Sequence, residues 1–236
     1  MIPISDENPA RLTPVITWLI LAGCVLAYVW ELSLGGQADA ALNVLGFVPA
    51  NFWAGGSVPL PGGGHVPVYA TLFFYMFLHG GFLHIAGNML YLWIFADNVE
   101  DAMGHGKFTL FYFLCGVIAV LAMAVIDPRS QIPTVGASGA ISGILGCYML
   151  LYPRARIRVI IPLGIIFIPF RLRAVWVVGF WFITQLLMAA LTPENQPGVA
   201  WWAHIVGFAV GVILTPVLKS PYVPYFGPVQ PRGPWR

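Results

Sequence analysis

Apolar runs of about 17–25 residues, each long enough to cross a hydrocarbon core of roughly 30 Å, recur along nearly the whole chain. A bilayer offers no water to backbone N–H and C=O groups, and a helix satisfies them within one segment. Composition agrees: 59% of the 236 residues are apolar and 8% charged, against roughly 45–50% and about 25% in a soluble domain. The runs predict helices at about 13–31, 80–100, 107–126, 138–152, 173–192 and 200–218, joined by segments marked with Pro, Gly or charge. The expected fold class is an all-α membrane protein with six transmembrane helices. A long outer loop, about 32–70, separates the first two; it contains AGGSVPLPGGGHVP and apolar pieces such as Ala40–Phe47, so short interfacial helices are expected in it.

Val159–Phe170 is apolar but short and is closed off by Pro162, Pro169, Arg171 and Arg173, which predicts an inner-face interfacial or re-entrant piece rather than a crossing. The expected organisation is an inner N-terminal segment 1–12, a six-helix membrane domain 13–218, and a Pro-rich inner tail 219–236, extended or disordered. Arg11, Lys107, Arg154, Arg156, Arg158, Arg171, Arg173, Lys219, Arg232 and Arg236 fall on one side of such a bundle, and only Arg129 on the other. Excess Lys and Arg marks the cytoplasmic side, so both termini are expected inside, in a multi-pass protein of the cell membrane. The first apolar run follows Asp6 and Glu7 and lacks a small-residue cleavage site, so it is expected to remain as a span. A net charge of +2 does not point to nucleic acid. Cys24, Cys115 and Cys147 lie in apolar runs without CxxC spacing or nearby histidines, and read as small buried hydrophobes rather than disulfide or zinc ligands.

Polar groups inside spans are costly and mark function. Three runs stand out: HGGFLHIAGN at His79–Asn88, GASG at Gly136–Gly139, and AHIVG at Ala203–Gly207. All lie on even-numbered helices running from the outer face inward. His84 stands 13 residues before Asp97, Ser138 stands 15 before Pro153, and His204 stands 15 before Lys219. At 1.5 Å per residue these three share one layer, about 8–10 Å below the outer boundary. The fourth helix is too short to cross alone, so IPTVGA must dip into the membrane, where irregular backbone is tolerated beside a water-filled cavity.

A serine and a histidine at one depth suit nucleophilic catalysis, Ser138 attacking and His204 taking its proton. Gly136 and Gly139 permit a tight turn and close approach of a peptide, and free N–H groups at the helix start can stabilise an oxyanion. His84 and Asn88, four residues apart on one helix face, can add donors. No Asp or Glu lies at this depth, so a Ser-His dyad is expected rather than a triad. Gly139-xxx-Gly143, with Ala203, Gly207 and Gly211 at four-residue intervals, would let the fourth and sixth helices touch closely.

HGGFLHIAGN, GASG and AHIVG, in this order on alternate spans, resemble the signature of the rhomboid intramembrane serine proteases, over about residues 13–218. The resemblance implies a rhomboid-like six-helix bundle, Ser138 as nucleophile, His204 as general base, and His84 and Asn88 as oxyanion-hole side chains. Glu100 matches the family's acidic residue closing the second helix. It further implies transmembrane protein substrates, cut near their outer ends, and no cofactor or metal. The chain departs from the family where many members carry a Trp-Arg pair, here Ala70 and Thr71. It departs again four positions after the serine, where an aromatic that packs on the base is replaced by Ser142.

Other readings of single residues are milder. His79 suits a structural hydrogen bond in the outer loop, His65 and His105 solvated loops, and Ser142 a helix contact. The Trp residues suit interface anchors. Asp97, Asn98, Glu100 and Asp101 suit markers of the inner boundary. A rhomboid-like protein that binds membrane clients without cutting them, and a transporter lined by the same polar groups, are the alternative functions. Nothing resembles HExxH, and the sequence carries no statement of oligomeric state.

Overall fold

The chain is seen in a computed structural model that describes residues 1–60, 63–164, 166–192 and 198–227. In order the elements are β1 (Ile2–Asp6), α1 (Val15–Ser33), α2 (Ala38–Leu45), α3 (Pro49–Ala54), β2 (Ser57–Pro59), β3 (His65–Pro67), α4 (Thr71–Phe74), α5 (Phe82–Met103), α6 (His105–Ile126) and α7 (Ser138–Leu151). They continue as β4 (Arg156–Leu163), β5 (Ile166–Arg173), α8 (Ala174–Leu191) and α9 (Trp201–Leu218). The chain is mostly helical. Four helices, α1, α6, α8 and α9, are long and apolar enough to cross a membrane. α7 is apolar but has 14 residues, and α5 has 22 but carries His84, Asn88, Asp97, Asn98, Glu100 and Asp101. Outward-facing side chains are apolar, among them Leu26, Trp176, Leu187, Ile213 and Val217. A surface of that kind is matched to lipid.

α7 is the centre of the bundle, buried along most of its length and packed on α5, α6 and α9. Its contact with α9 is the most extensive between described elements. Glycine makes that closeness possible: Gly207 and Gly211 of α9 lie against the backbone of Gly139 and Gly143 of α7. A Cβ added at Gly143 would also fall 2.5 Å from Cys115 Sγ of α6. In lipid, where no hydrophobic force draws helices together, such close backbone packing is a main source of association.

The all-α expectation fails at one end of the bundle. Val159–Phe170, expected as an inner-face interfacial or re-entrant piece, is strand: it belongs to the hairpin β4–β5, to which β1 adds a third strand in the order β1-β4-β5. The reason is the period: Arg156-Ile-Arg-Val alternates, with Ile157 and Val159 buried and Arg156 and Arg158 exposed. Gly164, at φ +65°, lies in the turn. Arg156 pairs with Arg173 and Arg158 with Arg171, so four guanidinium groups share one sheet face. Glu7 answers two of them, 3.1 Å from Arg158 Nε and 3.3 Å from Arg171 Nε, and the hydrogen bond from Arg158 lowers its carboxyl below the usual range.

The N-terminal segment is thus tied into the fold. Asp6 accepts hydrogen bonds from Tyr148 Oη (2.7 Å) and Asn98 Nδ2 (3.0 Å), and Asn8 donates to Asn98 (2.5 Å). Glu100, near the C-terminal end of α5, is a buried hub. It accepts from the N–H groups of Ile16 and Thr17, both at 2.9 Å, and from Thr17 Oγ1 at 2.7 Å. Those N–H groups are orphans of the first turn of α1, where a carboxylate is also favoured by the helix dipole. His105 is not a free loop residue either, since it opens α6 with Nδ1 2.6 Å from Glu100 Oε1.

At the other end, the long connection is pinned without the Trp-Arg pair. Trp53 donates to Ala124 O at 2.7 Å, Phe47 bridges Thr134, and Glu31 accepts from the His79 N–H at 3.1 Å. The C-terminal tail through Gly227 folds back, with Ser220 N–H on Ala102 O and Gly227 N–H on Leu151 O. It is therefore not extended over that stretch, and residues 228–236 lie outside the described residues.

Candidate active site

The site begins with a turn that only glycine can make. Gly136 has φ +112°, and its N–H donates to Tyr75 O at 2.8 Å. A Cβ there would fall 2.6 Å from His84 Nε2, so side-chain sterics and backbone conformation both require glycine. Two residues on, Ser138 opens α7 behind Ala137, which supplies no side-chain cap. The first-turn N–H groups of α7 therefore have no intrahelical partner. Gly139 packs closely, so that a Cβ there would fall 3.0 Å from Ala119 Cβ and 3.4 Å from the Tyr75 hydroxyl.

Ser138 Oγ lies 2.7 Å from His204 Nε2, a hydrogen bond between α7 and α9. On the opposite edge of the ring, His204 Nδ1 lies 2.8 Å from Gln185 Oε1 of α8. The imidazole is 8% exposed. Trp181 of α8 lies beside it with ring centroids 6.0 Å apart and planes at 32°, and Trp201 meets it edge-on at 6.1 Å. These two tryptophans and Gln185 are the side chains that flank the ring, while the Ser142 hydroxyl donates back to Ser138 O at 2.6 Å. Trp181 and Trp201 thus belong to the site, where the composition had suggested interface anchors. Gln185 has a signal in the sequence, a polar amide inside the apolar run 173–192, on a helix that carries none of the three polar motifs.

His84 and Asn88 of α5 line the same cavity, a partly open space of about 680 Å³ bounded also by Ser138, Gly136, Val135, Trp181 and His204. Asn88 Nδ2 is buried and has no hydrogen-bond partner. An unpaired donor beside a serine hydroxyl is costly unless something binds there. His79 stands behind, its ring 5.2 Å from that of His84 and its Nδ1 3.1 Å from Phe77 O. His65, on β3, is exposed and apart from the cavity. Among the described residues, no group of three or more His, Cys, Asp or Glu is placed to hold a metal ion.

A serine hydroxyl, an imidazole and an unpaired amide donor thus line one cavity of a mostly helical chain in which four helices are long and apolar enough to cross a membrane. The family model described as "Rhomboid domain" matches residues 67–221, and the chain belongs to the rhomboid family. It is similar to Rhomboid protease GluP of Bacillus subtilis, 44% identical over 75 residues, which is 32% of this chain and 14% of that protein. It is similar also to RHOMBOID-like protein 4 of Arabidopsis thaliana, 33% identical over 156 residues, covering 66% of this chain and 35% of that one. Rhomboid protein 1, mitochondrial, of Saccharomyces cerevisiae is 33% identical over 85 residues, 34% of this chain and 25% of its own length. In each case the similarity spans less than two thirds of the relative.

Proposed function

We propose that this chain is an intramembrane serine endopeptidase that cuts transmembrane protein substrates through a Ser138–His204 dyad. In this reading six helices, α1 and α5 to α9, cross the bilayer, both termini are cytoplasmic, and the cavity opens toward the outer face of the cell membrane. The single observation that carries the reading is the 2.7 Å contact of Ser138 Oγ with His204 Nε2 in a partly open cavity. Family membership and the protease names among the relatives support it.

Ser138 Oγ attacks the carbonyl carbon of a peptide bond as its proton passes to His204 Nε2. The oxyanion takes hydrogen bonds from first-turn N–H groups of α7, from Asn88 Nδ2 and from His84. Expulsion of the amine, which takes the proton from His204, leaves an acyl ester on Ser138. Water, deprotonated by His204, then releases the acid and restores the hydroxyl. The test is cleavage of a single-span model substrate by the reconstituted protein. Ser138→Ala and His204→Ala are each expected to abolish cleavage while leaving substrate binding intact; cleavage retained by Ser138→Ala would refute the assignment.

A further inference from the structure

We infer that Gln185 is the positioning residue of the Ser138–His204 pair, its side-chain carbonyl selecting the imidazole tautomer able to take the serine proton. The inference rests on the proteolytic reading above and adds to it a third member that is not a carboxylate.

An amide side chain has one acceptor end and one donor end, and their orientation here is fixed by partners. Gln185 Nε2 donates to Trp181 O at 2.9 Å and to Thr184 Oγ1 at 3.1 Å. Thr184 Oγ1 spends its own proton on Trp181 O, at 2.5 Å, so it is free to accept. With the amino end bound to its own helix, Oε1 is the end that faces His204 Nδ1. A carbonyl oxygen cannot donate, so Nδ1 must carry the ring proton and Nε2 must hold the lone pair. That lone pair is directed at Ser138 Oγ. The other tautomer would set an Nδ1 lone pair against the Oε1 lone pairs and leave an Nε2–H that can only donate to Ser138 Oγ and cannot take its proton.

Gln185 and His204 are 5% and 8% exposed, so the contact joins two buried side chains. Gln185 and Trp181 are four residues apart on one face of α8, so the helix presents an acceptor and an aromatic wall to the same ring. When the ring becomes imidazolium, both N–H groups already have acceptors. A carboxylate would orient the ring equally well but would bring an ionised group into the bilayer; the amide orients without charge.

The experiment uses the full chain in lipid vesicles with a cleavable single-span substrate. Gln185→Met, similar in length but without an acceptor, is expected to lower kcat on the order of 10- to 100-fold with KM little changed. Gln185→Glu, which keeps an acceptor oxygen, is expected to recover most of that loss. Nitrogen-15 spectra of histidine-labelled wild type, with His204 identified by its absence in His204→Ala, should show Nδ1 protonated and Nε2 bare. Wild-type kcat in a folded Gln185→Met protein, or a wild-type His204 protonated at Nε2, overturns the inference. If the methionine variant does not fold, the wild-type spectrum decides alone. Cleavage surviving in Ser138→Ala would sink the proteolytic reading instead, so the two failures are distinguishable.

Discussion

At the scale of residues, the site is built from donors and acceptors with few alternatives. Asn88 Nδ2 is buried, unpaired and beside the cavity, so its hydrogen bond is available only to something that arrives there. Asn88→Ala is expected to lower kcat on the order of 10²- to 10³-fold, the usual cost of one oxyanion donor, with a much smaller change in KM. Steady-state cleavage kinetics would check this; an unchanged kcat would remove Asn88 from the machinery. Ser138, His204 and His84 stand out in the sequence because a helix converts residue count into depth, and three polar groups at one depth in an apolar chain are conspicuous; Asn88 follows one turn on from His84, on the same helix face. Gln185 was harder to read. It stands 12 residues after Arg173, which the same count places in the layer, but its helix carries none of the three motifs and its role depends on which way an amide is turned.

At the scale of elements, the four helices long and apolar enough to cross a membrane, α1, α6, α8 and α9, overlap apolar runs of the sequence, from α1 at Val15–Ser33 to α9 at Trp201–Leu218. The sheet was missed because Val159–Phe170 was read for its apolarity rather than its alternation, and because β1 finds its partner about 150 residues away. The α7–α9 contact sets the serine-histidine distance. Gly207→Val would drive a side chain into the Gly139 backbone and Ser142 Cβ, with a stability loss of about 1–3 kcal/mol and most of the activity gone. Gly179→Ala on α8, which meets nothing within 4 Å, is the matched control and should behave as wild type in thermal melting and cleavage. β1 has its own pH dependence. Burial, with the charge of Asp97 adding to it against the Tyr148 hydrogen bond, lifts the Asp6 carboxyl from its ordinary 3.8 to about 7. A raised acid binds its proton more tightly when folded, so this stability is fully present below about pH 4 and is lost as pH rises through about 7. The slope between those values is on the order of 1.4 kcal/mol per pH unit. Amide exchange across Ile2–Asp6 should therefore quicken from pH 5 to 8 beyond the intrinsic chemical rate, and Asp6→Asn should flatten that dependence; the same excess in Asp6→Asn would contradict the assignment.

At the scale of the whole molecule, structure and chemistry are separated along α5. Its C-terminal end carries Asn98, Glu100 and Asp101, which hold the N-terminal strand, the start of α1 and His105. Its N-terminal end carries His84 and Asn88, on the cavity with Ser138 and His204. About 24 Å of helix lies between His84 and Glu100, at 1.5 Å per residue. The polar groups that fasten the fold are thus remote from those that line the cavity. Everything functional then turns on whether Ser138 is an activated nucleophile. Treatment of the reconstituted protein with a fluorophosphonate, followed by mass spectrometry of the modified peptide, tests this directly. A phosphonyl adduct is expected on Ser138, absent from Ser138→Ala and strongly slowed in His204→Ala; equal labelling of wild type and Ser138→Ala would contradict it.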